Sequence, residues 1–216
     1  NETYTVSAGG QSGTGTILDN DAALISVNDA TTTEGGDLSF TVSLSAPSAT
    51  DVVFTPSFTN VTTTNADYTQ TPIQYSTDGG ATYQTWTSGP ITIPAGVTSV
   101  LFIVPTTGDA IDENNETFTL TVTSPTAGTD SGTGTIEDND TVTVVSVSDD
   151  TETEGTDLEH TVTMSGAADA PKTYPFSVTD VTATSGSDYN ATPTFSNGVT
   201  YAAGLITVPA GVTSFT

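Results

Sequence analysis

Leu38-Ser39-Phe40-Thr41-Val42-Ser43-Leu44 sets an apolar side chain at every second position with a small polar one between. A period of two marks a strand with one face in a core and the other in water. Phe118-Thr119-Leu120-Thr121-Val122 follows the same rule. Around these runs threonine is abundant, Gly and Pro punctuate at short intervals, and no window carries an apolar stripe of helical period and length. The sequence therefore reads as all-β, an antiparallel β-sandwich architecture. Strands are expected near 24–28, 38–45, 51–59, 72–76, 82–87, 91–93, 98–105, 117–123 and 132–137. Asp78-Gly79-Gly80 is expected to close one hairpin and Asn197-Gly198 a shorter one.

The deciding stretch occurs twice. Val27 to Leu44, with Thr33-Glu34-Gly35 and Asp37-Leu38, matches Val147 to Met164, with Thr153-Glu154-Gly155 and Asp157-Leu158, at an offset of 120. Ser12-Gly13-Thr14-Gly15-Thr16-Ile17-Leu18-Asp19-Asn20-Asp21 returns at an offset of 119 as Ser131-Gly132-Thr133-Gly134-Thr135-Ile136-Glu137-Asp138-Asn139-Asp140. Ala66-Asp67-Tyr68-Thr69 recurs as Ser187-Asp188-Tyr189-Asn190, and Asn115-Glu116-Thr117-Phe118 matches Asn1-Glu2-Thr3-Tyr4. Self-similarity at a fixed period is the mark of a repeat protein. The chain divides into 1–21, the C-terminal strands of a preceding repeat; 22–140, a complete repeat; and 141–216, a repeat lacking its last strands. Thr216 aligns with Leu101 and Asn1 with Asn115, so the expectation is a stretch of a longer filament in which strands like 1–18 complete 141–216.

With Lys+Arg 1 against Asp+Glu 26, the formal net charge of −25 repels nucleic acid and anionic lipid and attracts cations. Cysteine is absent, so neither disulfides nor thiolate metal sites hold the fold. No run approaches a membrane span, and no direct membrane insertion is expected. An acidic surface also serves solubility or adaptation to salt, so position has to decide. In an antiparallel sandwich alternate loops lie at opposite ends. One end collects the 29–37 loop with Glu34, the 60–71 loop with Asp67, the 106–116 loop with Asp109, Asp112, Glu113 and Glu116, and the exit Asp138-Asn139-Asp140. The other collects 46–48, 78–80, 94–96 and 124–131, with few acids. Carboxylates converging without Lys or Arg repel unless a cation lies among them, and an excess of hard oxygen ligands suits Ca²⁺. The exit triplet lies between repeats, where an ion would stiffen the junction and chelation would loosen it.

Thr33-Glu34-Gly35, Asp67-Tyr68, Pro94-Ala95-Gly96-Val97, Glu113-Asn114-Asn115-Glu116-Thr117-Phe118 and the closing Asp138-Asn139-Asp140 resemble the motifs of the Calx-β family, the repeat of sodium–calcium exchanger regulatory loops and very large bacterial surface adhesins. The resemblance covers nearly all of 22–140 and the matching parts of its neighbours. It implies tandem immunoglobulin-like, seven-stranded antiparallel sandwiches with Ca²⁺ at one tip, held by Glu34, Asp67, Asp109, Glu113, Asp138 and Asp140. Asp109 stands where the family often has paired acids, with Asp112 as a substitute. The counterparts in the flanking repeats are Asp19 and Asp21, and Glu154 and Asp188.

Other tempting residues carry less. His160 occupies the position of Phe40 one repeat later and is expected to be packed or half-buried. No serine has a base placed beside it, so no enzyme is expected. Tyr83 and Trp86 are expected to pack across a hairpin. Lys172 is the sole lysine, so a lysine–asparagine staple is not available to 22–140. The leading functional expectation is a calcium-rigidified spacer of a secreted or cell-surface adhesin or extracellular fibre, in contact with neighbouring repeats of the same chain and with homopolymeric fibre contacts. The alternative is a calcium-sensing regulatory module of a larger membrane or secreted protein.

Overall fold

The computed structural model describes residues 2–17 and 22–216. The expected sites Asp19 and Asp21 lie outside the described residues. Among those described, every regular element is a strand. β1 (Glu2–Ala8) and β2 (Gln11–Ile17) pair as a two-stranded hairpin. They are followed by β3 (Ile25–Val27), β4 (Ala30–Thr33), β5 (Asp37–Leu44), β6 (Val52–Asn60), β7 (Ile73–Ser76), β8 (Gln84–Trp86), β9 (Ile91–Ile93), β10 (Ser99–Pro105), β11 (Glu116–Ser124) and β12 (Gly128–Glu137). These form two five-stranded sheets, ordered β3-β5-β10-β7-β8 and β4-β12-β11-β6-β9.

The period of two does what it promises: Leu38, Phe40, Val42 and Leu44 all point inward from β5, and Phe118, Leu120 and Val122 from β11. Each such side chain contributes about 1.5–3 kcal/mol by leaving water. The sheets meet through edge-to-face aromatic pairs, Phe40 with Phe118 at 5.8 Å and Phe54 with Phe102 at 6.2 Å. The repeated Ser-Gly-Thr-Gly-Thr has a packing reason. A Cβ on Gly134 would come within 2.7 Å of the Phe118 ring and 2.9 Å of Phe40, so β12 passes the core aromatics only as glycine. The hairpin uses the same device, with Gly15 opposite Tyr4 in register as Gly134 is opposite Phe118.

Residues 29–37 are not one loop, as expected, but contain β4, whose Ala-Thr-Thr-Thr carries no large apolar residue to reveal a strand. β4 pairs with β12 in parallel. Asn28-Asp29 is the crossing point where the chain changes sheets, tied to β12 by Val27 N–H donating to Asp130 Oδ2 (2.8 Å) and Thr133 N–H donating to Asp29 Oδ1 (2.7 Å). β3 and β4 run the same way, so the alternation of later loops is undisturbed. β12 also begins at Gly128, inside the expected 124–131 loop.

A second, smaller core gathers Val142, Val162, Met164, Val199, Ile206, Val208 and Phe215. It is built from β13 (Val144–Val147), β14 (Val162–Met164), β15 (Lys172–Pro175), β16 (Thr200–Ala202), β17 (Leu205–Val208) and β18 (Ser214–Phe215), in sheets ordered β13-β14-β18 and β15-β17-β16. His160 is a correction: β14 starts only at Val162, and the ring is exposed with Nδ1 2.8 Å from the Ser148 carbonyl oxygen. The β16–β17 hairpin is closed by Ala203-Gly204, both at positive φ, whereas Asn197-Gly198 forms a separate turn before β16.

Candidate metal centre

Counting strand directions from the register, the loops 34–36, 61–72 and 106–115 and the exit after Glu137 fall at one end of the first sandwich. Backbone hydrogen bonds sew them together. Glu34 N–H donates to Glu137 O (2.9 Å), carrying the β4–β12 pairing one step further and setting Glu34 beside the exit. Thr106 N–H donates to Gly36 O (2.9 Å) and Thr107 N–H to Asp67 O (2.8 Å). Asp138 N–H donates to Asn115 Oδ1 (3.3 Å). Gly35 turns at φ 72°, and Gly108 passes so close that a Cβ there would lie 3.2 Å from Gly35 Cα.

These contacts bring Glu34 into two carboxylate groups. Glu34, Asp138 and Asp140 offer oxygens within 4.8 Å of one another, and so do Glu34, Asp109 and Glu113. Burial pushes the Glu34 carboxyl up, partly offset by the Asn139 N–H, and the adjoining Asp140 carboxylate pushes it further. Glu113 is raised by burial and then by Asp109, Asp67, Asp169 and Glu34. Asp67 lies against Glu116, whose carboxyl is raised to about 7 by burial first and by Asp67 next. Asp140 Oδ2 is shut from solvent with no hydrogen-bond partner. A set of all-oxygen, mutually repelling donors with one orphaned carboxylate oxygen is the donor chemistry of a hard divalent cation. The residues present fit such an ion.

Not every expected residue joins them. Asp112, the expected substitute ligand, turns away: its Oδ1 takes Lys172 Nζ at 2.5 Å and its Oδ2 the Val142 N–H at 3.0 Å. Those contacts hold its carboxyl below the usual carboxylate range. Glu154 and Asp188 are exposed and belong to neither group. Asp169 is the participant that sequence reasoning missed. It lies exposed on the loop between β14 and β15 of the second repeat, and its charge adds to the upward push on the Glu113 and Glu116 carboxyls of the first. Its counterpart one repeat earlier is Ala49, so no repeat comparison could have found it.

The first sandwich therefore carries its converging carboxylates at one tip. The family model of the Calx-beta domain matches residues 72–151 and again 138–210, more than half of the chain, and the chain belongs to the Calx-beta domain family. Two overlapping matches along one chain are a tandem arrangement. A crystal structure of the apo-form Calx CBD1 domain aligns over 54% of this chain and 99% of its own, at 18% identity and a TM-score of 0.40. The crystal structure of CBD12 from CALX1.2 aligns over 90% of this chain and 72% of its own, at 15% identity and a TM-score of 0.41. No curated relative matches the chain. The matched residues have the fold of the Calx-beta domain, a non-catalytic domain. No helix of the described residues is long and apolar enough to cross a membrane.

Proposed function

We propose that the chain is a calcium-binding tandem Calx-beta module of a larger membrane or secreted protein, in which ion occupancy at the tip of the first sandwich stiffens the junction to the next. The observation that carries this reading is the place of Glu34 in two carboxylate groups, one of which includes the inter-repeat residues Asp138 and Asp140. Ca²⁺ is favoured because the donors are carboxylates only and converge from three loops, a flexible arrangement suited to six to eight oxygens. Glu34, Asp109 and Glu113 would hold one ion, and Glu34, Asp138 and Asp140 a second, with Asp67 and Glu116 adjoining. A protein that binds calcium only when folded gains stability by mass action, so calcium should raise the melting temperature relative to chelator. Equal melting in the two conditions would count against the proposal.

A second reading, a spacer of an extracellular adhesin or fibre, is favoured by the return of matching motifs at offsets of 114 to 121. It carries an extracellular or cell-surface location with it. The dissociation constant separates the two: about 10⁻⁷–10⁻⁵ M belongs to a sensor and about 10⁻⁴–10⁻³ M to an extracellular module.

A further inference from the structure

We propose that the β1–β2 hairpin of one copy of the chain docks by strand addition onto the second core of another copy, in the register that β11–β12 hold within the first sandwich. The inference goes beyond the calcium reading and does not rest on it.

The hairpin is paired but uncovered. No strand of either core joins its sheet, and Tyr4, Val6 and Ile17 are exposed by 56%, 59% and 56%. With Gly15 these side chains share one face, since alternate residues of a strand and their cross-strand partners point the same way. Tyr4 and Val6 stand for Phe118 and Leu120 of β11, and Gly15 and Ile17 for Gly134 and Ile136 of β12, the face that is buried in the first sandwich. Tyr4 is opposite Gly15 as Phe118 is opposite Gly134, so the hairpin carries the same aromatic-over-glycine arrangement without a core beneath it.

The second core has the matching gap. In the first sandwich Phe118 stacks on Tyr68 at 3.8 Å and packs on Phe58 at 6.0 Å and Phe40 at 5.8 Å. The counterparts Val178 and His160 are exposed and Tyr189 is half-buried. Leu158 is 53% exposed where its counterpart Leu38 is fully buried. The socket is nonetheless shaped: Tyr189 Oη donates to Asp180 Oδ1 (2.5 Å) as Tyr68 Oη donates to Asn60 Oδ1 (2.7 Å). Ser177-Val178-Thr179-Asp180 matches Ser57-Phe58-Thr59-Asn60, the part of β6 that pairs with β11, yet it forms no strand. The pairs Leu120 with Phe58 and Phe118 with Asn60 then set Val6 against Val178 and Tyr4 against Asp180. Tyr4 comes to stack on Tyr189.

Topology makes the occupant a second copy. The chain enters the first sandwich where Ile25 N–H donates to Ala127 O and leaves at the opposite, acidic end after Glu137. A hairpin docked as β11–β12 are hands its chain on from the corresponding end of the second core, so the sandwich that follows the hairpin lies beyond that end. In a single chain that sandwich already precedes the second core, and it cannot lie at both ends of its neighbour. The contact is therefore head-to-tail and repeats as an open string. Charge does not oppose it, because of 26 acids the hairpin carries only Glu2. Strand edges without Lys or Pro are the kind that add to another sheet. Covering two seven-residue strands buries on the order of 1,500 Å² in all, the size of a stable interface.

Sedimentation velocity of the 216-residue chain in chelator, at about 0.15 M salt to screen its charge, should show multimers that grow with concentration. Tyr4→Ser combined with Val6→Ser should leave monomer only, with the urea transition of Trp86 fluorescence unchanged, since the hairpin belongs to neither core. The chain has no cysteine, so Val6→Cys and Val178→Cys variants, mixed and oxidised, should link two chains through those positions. Thr5→Cys, on the opposite face of β1, should not link to Val178→Cys. A chain that stays monomeric, multimers that survive the double serine variant, or equal linking from positions 5 and 6 would overturn the proposal. None of these outcomes bears on calcium binding, which calorimetry judges separately.

Discussion

Glu116→Gln should stabilise the cation-free protein above neutral pH and lose that advantage in calcium. Glu116 opens β11 with Asp67 against it and Glu113 and Asp169 nearby, and its carboxyl is pushed from 4.5 up to about 7. A carboxyl whose folded pKa lies above its unfolded one contributes stability that is complete below pH 4.5 and is lost as pH rises through about 7. The whole shift corresponds to about 3 kcal/mol. Glu116 is only half-buried, and solvent screening reduces this to about 1–2 kcal/mol. Glutamine keeps the shape and removes the charge, so in chelator at pH 7.5 the variant should melt about 3–6 °C higher than wild type. Near pH 4.5 the two should coincide. In calcium at pH 7.5 the difference should vanish or reverse, because the ion answers the repulsion and the variant has lost a carboxylate. Urea titration followed by Trp86 fluorescence reads the first sandwich alone, since this single tryptophan packs on Phe58 at 6.3 Å. A variant less stable than wild type in chelator at pH 7.5, or equally stabilised at pH 4.5, would refute the reasoning.

Glu34→Gln removes a donor from both carboxylate groups and should lower affinity at each by about tenfold or more, about 1.4 kcal/mol per site, in calcium calorimetry. Asp140→Asn touches one group only, so it should weaken one ion and spare the other; equal effects from the two variants would argue against separate sites. Gly134→Ala should destabilise the first sandwich by about 1–3 kcal/mol in denaturant titration, because its Cβ would press on Phe118 and Phe40, and a neutral result would mean the aromatic pair can move aside.

The sandwich was legible where large apolar side chains alternate, as along Leu38 to Leu44, because burial on one face imposes that period on any strand. It was not legible at Ala30–Thr33, where the chain follows β12 through backbone hydrogen bonds and shows no large apolar residue. His160 took its expected burial from repeat alignment. The alignment fixes its register but does not supply the strand that would cover it. The gathering of Glu34, Asp109, Glu113, Asp138 and Asp140 followed from alternating loops, a property of topology that survives errors of a residue or two at strand ends. The pairing of Asp112 with Lys172 was not legible for the same reason that Asp169 was missed. Both act between repeats, and loop alternation within one repeat says nothing about which side of a loop faces its neighbour.

The most direct test of the central claim is calcium titration of the 216-residue chain by calorimetry after exhaustive chelation, with magnesium as the comparison. Two shared-ligand groups predict saturable binding of at least two calcium ions per chain, with magnesium weaker because these carboxylates converge from three separate segments rather than an octahedral cage. No heat and no saturable binding up to millimolar calcium, at a pH where the carboxylates are ionised, would contradict it.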